Sequence, residues 1–173
     1  MKKALCFALI FALLSAFASC SPAPPSDCAD VLAAMCKAAD SLPSGRVYST
    51  DSQSPDGVLT ESLMRSLFGE SALGYFYIDA EGKSAVDSCA VFIPSSQDAC
   101  ELAVFRCTRS NICPSVARLC LSRLDALRHG KSSPENQAAL ASAKVCILEN
   151  YVILAVHPDP DALIREAKSI VDY

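Results

Sequence analysis

Apolar residues recur at steps of four and three through Cys28, Leu32, Met35, Ala39 and Leu42. This is the spacing of one helix face. Asp27 precedes the run as a cap and Pro43 closes it, so the pattern predicts a helix over residues 27–42. Residues 43–56 are rich in turn formers, with a short strand signal at Arg46-Val47-Tyr48-Ser49. Leu59, Leu63 and Leu67 repeat at four and mark a second helix over 59–68, which Gly69 stops. The pattern then changes to period two. Val91 and Ile93 alternate with Ala90 and Phe92, which predicts a strand over 84–94. Ser95-Ser96-Gln97-Asp98 reads as a turn and 99–108 as the returning strand. A helix over 111–129 follows, ended by Gly130. Strands over 143–148 and 151–157 flank the two-residue turn Glu149-Asn150. Pro158 breaks the second of them, and Asp159 or Asp161 opens a last helix that runs to Val171.

Strand, turn, strand and helix thus occur twice, without a residue-level repeat. The expected fold is α+β: a four-stranded antiparallel sheet from two hairpin-plus-helix units, both late helices on one face, with N-terminal helices added. One sheet face is expected to carry Cys89, Val91, Ile93, Cys100, Leu102, Val104, Val145, Ile147, Val152, Leu154 and Val156. The other is expected to carry Phe92, Phe105, Cys146, Leu148, Tyr151 and Ile153, which is too apolar to stand bare in water. The N-terminal helices are the expected cover. Where they leave a gap, Phe92, Phe105, Leu148, Tyr151 and Ile153 make a candidate binding face.

The first 26 residues follow a different pattern. Lys2 and Lys3 precede an uncharged stretch that includes Leu5, Phe7, Leu9, Ile10, Phe11, Leu13 and Leu14. This is signal-peptide anatomy, too short and too abruptly ended for a spanning helix. It closes on Phe17-Ala18-Ser19-Cys20. Small residues before a cysteine resemble the bacterial lipobox, in which that cysteine becomes the lipidated N-terminus. Residues 1–19 are therefore expected to be a lipoprotein signal, with Cys20 the lipidation site. Residues 20–26 would be a Pro/Ser tether and residues 27–173 a single domain. Ordinary secretory cleavage, with Cys20 incidental, is the competing reading.

Cleavage would leave 154 residues, enough for a sizeable core, and would move the net charge from −4 to −6. Such a balance argues against a general nucleic-acid binder. The expected membrane contact is the lipid anchor. Basic residues concentrate at Arg106, Arg109, Arg118, Arg123, Arg128 and Lys131, against one acid, Asp125, in that segment. Arg109, Arg118, Arg123 and Arg128 are candidate contacts to an anionic surface, either lipid headgroups or an envelope polymer. The plainer reading is the wet side of an amphipathic helix.

Eight cysteines remain beyond Cys20: Cys28, Cys36, Cys89, Cys100, Cys107, Cys113, Cys120 and Cys146. None forms a C-x-x-C, so neither a thioredoxin-type motif nor a zinc knuckle is present. Buried thiols acting as small apolar residues, structural disulfides, and redox or metal chemistry remain as three readings.

Catalytic signatures are sparse. The histidines are His129 and His157. Cys146 and His157 share a predicted sheet face, but four residues of strand would separate them by roughly 13 Å, too far for a dyad. Asp159 and Asp161 read as helix-start residues, and Asp79-Ala80-Glu81-Gly82 has too few oxygen ligands for a calcium loop. Neither a phosphate-cradling glycine loop nor a G-x-S-x-G elbow occurs. No catalytic residue, metal site or cofactor is assigned.

The order of Glu101-Leu102-Ala103-Val104-Phe105-Arg106-Cys107, the helix with Arg123-Leu124-Asp125-Ala126-Leu127, then Ala143-Lys144-Val145 and Tyr151-Val152-Ile153-Leu154-Ala155-Val156 resembles a domain-of-unknown-function family of lipoproteins from Gram-positive anaerobes. The resemblance spans roughly residues 28–171 and departs from the family in its abundant cysteines. It implies an exported, anchored domain and supplies no activity or functional residues. The reading that follows is a non-catalytic binding or interaction module at the cell envelope. The alternative is a thiol-based redox protein of the same compartment. A small envelope inhibitor or chaperone would be told from the first reading by its partner.

Overall fold

The structure, a computed structural model, describes residues 26–50, 56–76, 82–95, 97–131 and 133–171. The signal segment, Cys20, most of the tether and residues 79–81 lie outside them. In chain order the elements are α1 (Cys28–Ala38), β1 (Gly45–Ser49), α2 (Glu61–Phe68), α3 (Glu70–Leu73), β2 (Val86–Pro94) and β3 (Glu101–Cys107). A 3-10 turn (Ser110–Ile112) leads to α4 (Cys113–Gly130), α5 (Pro134–Ser142), β4 (Lys144–Leu148), β5 (Tyr151–Val156) and α6 (Pro160–Val171).

Local signals explain most boundaries. Asp27 caps α1 by accepting the Ala29 N–H, Thr60 caps α2 through the Leu63 N–H at 3.3 Å, and Asp159 accepts the Ala162 N–H at 3.1 Å at the start of α6. Gly69 ends α2 at φ 84°, a left-handed conformation that favours glycine. The hairpin turn between β4 and β5 holds Glu149 at φ 51°.

The fold is α+β around one antiparallel sheet, and the sheet has five strands rather than four, in the order β1-β2-β3-β5-β4. The fifth is the segment around Arg46–Ser49, which pairs along β2 from Gly45↔Pro94 to Ser49↔Ala90. As an edge strand it is partly guarded. The Asp56 carboxylate accepts the Val47 N–H at 2.7 Å, and Ser49 bridges to Val58. β1 also approaches β2 closely at Gly45. A Cβ there would lie 2.4 Å from the Phe92 ring and 2.6 Å from the Ile93 carbonyl oxygen. Gly45→Ala is therefore expected to cost about 1–3 kcal/mol, read as a lowered denaturant midpoint.

The placement of the helices differs from the expectation. A five-stranded sheet is about 19 Å wide, and a helix covers about 10 Å of it, so each face takes two helices. One face is covered by α2 and α4, with α3 and α5 at its margins; the other is covered by α1 and α6. The two late helices thus lie on opposite faces, and so do the two N-terminal ones.

The phase of β3 also needs correction. Val91 stands opposite Ala103, Cys89 opposite Phe105 and Phe92 opposite Leu102. Directly opposed residues share a face, so Leu102 and Val104 join Phe92 beneath α1 and α6, while Phe105 turns to the α2/α4 side. A one-residue difference in the 95–100 connection inverts every side chain of a strand. Phe105 packs edge-on against Phe68, with ring centroids 5.1 Å apart at 82°. The assignments for β2, β4 and β5 hold: Val91, Val152, Leu154 and Val156 lie on the first face, and Tyr151, Ile153, Cys146 and Leu148 on the second.

Candidate functional site

The two ends of the sheet differ in what they hold. At the end where β3 stops and β5 starts, Ser26 is fastened to the sheet and to α6. The Ser26 carbonyl accepts the Tyr151 hydroxyl at 2.6 Å and an Arg106 guanidinium N–H at 3.0 Å, while its own hydroxyl donates to the Ile170 carbonyl at 3.1 Å. Arg106 is held in turn by Asp87 at 2.8 Å. Ser88 links the start of α1 to the sheet, donating to Asp27 at 2.8 Å and accepting the Cys28 N–H. Three elements therefore fix where the tether would leave the domain.

At the opposite end, past the end of β5 and before the start of β3, the α1–β1 connection, the β2–β3 turn and α5 surround a cleft. It has a volume of about 330 Å³ and is lined by Ser41, Pro43, Asp98, Cys100, Glu135 and Pro158, among others. A second hollow of about 250 Å³ shares Asp98 and Glu135 with it and adds Gln97, Ser133 and Asn136. The walls are braced by hydrogen bonds. Asn136, buried at the start of α5, accepts the Ala99 N–H and donates to the Gln97 carbonyl, both at 2.9 Å. Asp98 accepts the Cys100 N–H at 2.8 Å, and the Lys131 ammonium donates to the Asp98 carbonyl. His157, also buried, accepts the Asp159 N–H at Nδ1 and sits 3.4 Å from the Ser41 carbonyl through Nε2. The result is a preformed concave surface with two carboxylates on its rim.

No family model, curated protein or solved structure matches the chain. The site is accordingly read from its own geometry.

The candidate binding face is not a single open surface. Phe105 lies on the other side of the sheet from Phe92, Tyr151 and Ile153, and those three are buried beneath α1 and α6 with Leu148 packed at their margin. The arginines divide. Arg123 forms a two-point pair with Glu101, at 2.8 and 2.6 Å, and the Glu101 side chain is 1% exposed. Arg128 pairs with Asp125 one turn away. Arg109 and Arg118 are exposed, and both lie toward the Ser26 end of α4. Asp161 pairs with Lys144 at 2.7 Å. Cys146 stands opposite Ile153, as the hairpin register requires, which leaves His157 out of its reach.

The eight cysteines are present as free thiols, six of them buried. Burial pushes the thiol of Cys28 up to about 12, those of Cys36 and Cys146 to about 11, and that of Cys100 to about 12. Desolvation likewise raises Cys89, Cys107 and Cys120 well above the ordinary thiol range. A thiolate is the reactive form, so in the folded domain these seven are protonated at neutral pH and poorly placed for exchange. Among the described residues no group of three or more His, Cys, Asp or Glu is placed to hold a metal ion. No described helix is long and apolar enough to cross a membrane.

Sequence reasoning missed α5, and with it the cleft. The signal was there: Ser133 before Pro134, a cap position followed by the residue best suited to a first helical turn. The clamp on Ser26 and the Glu101–Arg123 pair had no local signal, because their partners lie 125 and 22 residues apart in the chain.

Proposed function

We propose that this protein is a lipid-anchored extracytoplasmic binding module, tethered through Cys20 and presenting its cleft away from the membrane. The observation that carries the reading is the polarity of the domain. Ser26 is clamped at one end of the sheet and the Asp98/Glu135 cleft opens at the other, separated by the length of β5, about 20 Å. A tether attached at the clamped end holds the cleft outward. Arg109 and Arg118, on the tether side, would then face anionic headgroups, each adding about 1 kcal/mol of attraction. The described residues bring together no nucleophile, base and oxyanion donor of the kind that catalysis uses, and the braced cleft suits recognition of a polar ligand or of an exposed chain segment.

Two variants test the reading in a bacterium that processes lipoproteins. Cys20→Ala is expected to move the protein from the membrane to the soluble fraction; retention on the membrane would contradict the anchor. A photo-crosslinking residue in place of Glu135 is expected to capture an envelope component that the same residue in place of Glu166, on the outer side of α6, does not. Equal capture at both positions, or none at either, would contradict the cleft.

A further inference from the structure

β3 ends at Cys107 and α4 begins at Cys113, and residues 108–112 carry the chain from the sheet to the helical layer above it through the turn Ser110–Ile112. This brings two cysteines together. Both side chains are buried, Cys107 at 2% exposure and Cys113 at 0%. Both side chains belong to the same buried cluster between the sheet and α4. Both also rest on the β4–β5 turn. The Cys107 N–H donates to the Asn150 carbonyl at 2.7 Å, and the Cys113 thiol donates to the Glu149 carbonyl at 3.7 Å. The backbone of one cysteine and the side chain of the other are thus held against the same two residues. Elsewhere, the Cys28 thiol is turned to the Ser88 carbonyl.

We propose that Cys107 and Cys113 are a covalent modification site: they form one intramolecular disulfide when the chain folds in an oxidising compartment. The oxidant is a disulfide, either of a small thiol such as glutathione or of a thiol–disulfide oxidoreductase. One cysteine thiolate attacks it, forming a mixed disulfide and releasing one thiol. The second thiolate then attacks the protein-side sulfur of that mixed disulfide, closes the Cys107–Cys113 bond and expels the other thiol. The two cysteines lose two protons and two electrons, and the oxidant is reduced to two thiols. Because both sulfurs are buried in the folded domain, the bond forms during folding and is then shielded from reductants. It would fasten the start of α4 to the end of β3, next to the Arg106–Ser26 clamp. The inference does not depend on the lipid anchor, and its test requires no membrane.

The full chain is unfolded with reductant, then refolded in a couple of oxidised and reduced glutathione. Remaining thiols are alkylated in denaturant and the protein is digested with trypsin without reduction. Cleavage after Arg106, Arg109 and Arg118 places Cys107 in peptide 107–109 and Cys113 in peptide 110–118, each with a single cysteine. The expected result is these two peptides joined, with Cys36 and Cys146 alkylated. A Cys36→Ser/Cys146→Ser variant is expected to keep the joined pair, and Cys107→Ala to leave Cys113 alkylated. Recovery of both wild-type peptides in alkylated form, or joined to other cysteines, would overturn the proposal. If Cys107→Ala fails to refold, the wild-type peptide map decides alone.

Discussion

Replacing Arg123 with alanine is expected to destabilise the domain by about 3–5 kcal/mol, because it strips a buried carboxylate of its partner. Glu101 opens β3 on the face covered by α4, and its side chain is 1% exposed. Both carboxylate oxygens are engaged by Arg123, at 2.8 and 2.6 Å, and the guanidinium itself is largely covered at 16% exposure. Two-point pairing of this kind has fixed geometry and sits in a medium less polarisable than water. Removing the cation leaves the anion desolvated, which costs far more than the pair contributes relative to an apolar replacement. A drop of about 10 °C in melting temperature follows for a domain of this size. The double variant Glu101→Leu/Arg123→Met is expected to recover most of the loss. Arg118→Ala, on the exposed part of the same helix, is expected to stay within about 0.5 kcal/mol of the parent. If Arg123→Ala behaves like Arg118→Ala, Arg123 belongs to the exposed basic surface and the buried pair is wrong.

The second large effect is alkaline. Cys28, Cys89 and Cys120 have no exposed surface, and desolvation raises all three thiols, Cys28 to about 12. In the unfolded chain they titrate near 9.0. Between these limits the native state holds protons that the unfolded state has released, so the slope of unfolding free energy with pH is negative. Stability is fully present below about pH 8, falls as pH rises through 9, and keeps falling until the native thiols ionise. Three groups give a slope of about 4 kcal/mol per pH unit once the unfolded thiols are deprotonated. Denaturant midpoints measured in reductant from pH 7 to pH 10.5 are expected to be flat and then to fall steeply. The triple variant Cys28→Ala/Cys89→Ala/Cys120→Ala, weaker at pH 7 for loss of packing, is expected to fall less steeply, with the remaining slope coming from Cys36, Cys100, Cys107 and Cys146. An equal fall in parent and variant would place the titration elsewhere.

Much of the fold was legible because its signals are local. The four-and-three spacing from Cys28 to Met35, the alternation along 90–93, the Glu149-Asn150 turn and the Asp159 cap each need no more than a few neighbouring residues. What failed depended on contacts distant in sequence. Strand β3 is apolar on both faces, so its own pattern does not state its phase, and the partner register at Val91↔Ala103 supplies it. The segment at 46–49 carried a strand signal, but its place in the sheet, along the free edge of β2, depends on partners more than 40 residues away. The division of helices between faces follows from sheet width, and that width changes once β1 is counted. The candidate binding surface moved for the same reason. An apolar sheet face looked like the place for a partner, but a three-layer fold covers both faces, and the cleft at the strand ends becomes the candidate instead. The basic segment was legible only in part. Charge along α4 was visible, whereas its division into buried pair, surface pair and exposed residues depends on which face of the helix meets the sheet.

The central claim is a domain held to a membrane at its Ser26 end, and the intact mass of the protein recovered from bacterial membranes tests it most directly. The account predicts a chain that begins at Cys20 and carries a diacylglyceryl-sized increment. A chain of full length, or one cleaved elsewhere and without lipid, would contradict it.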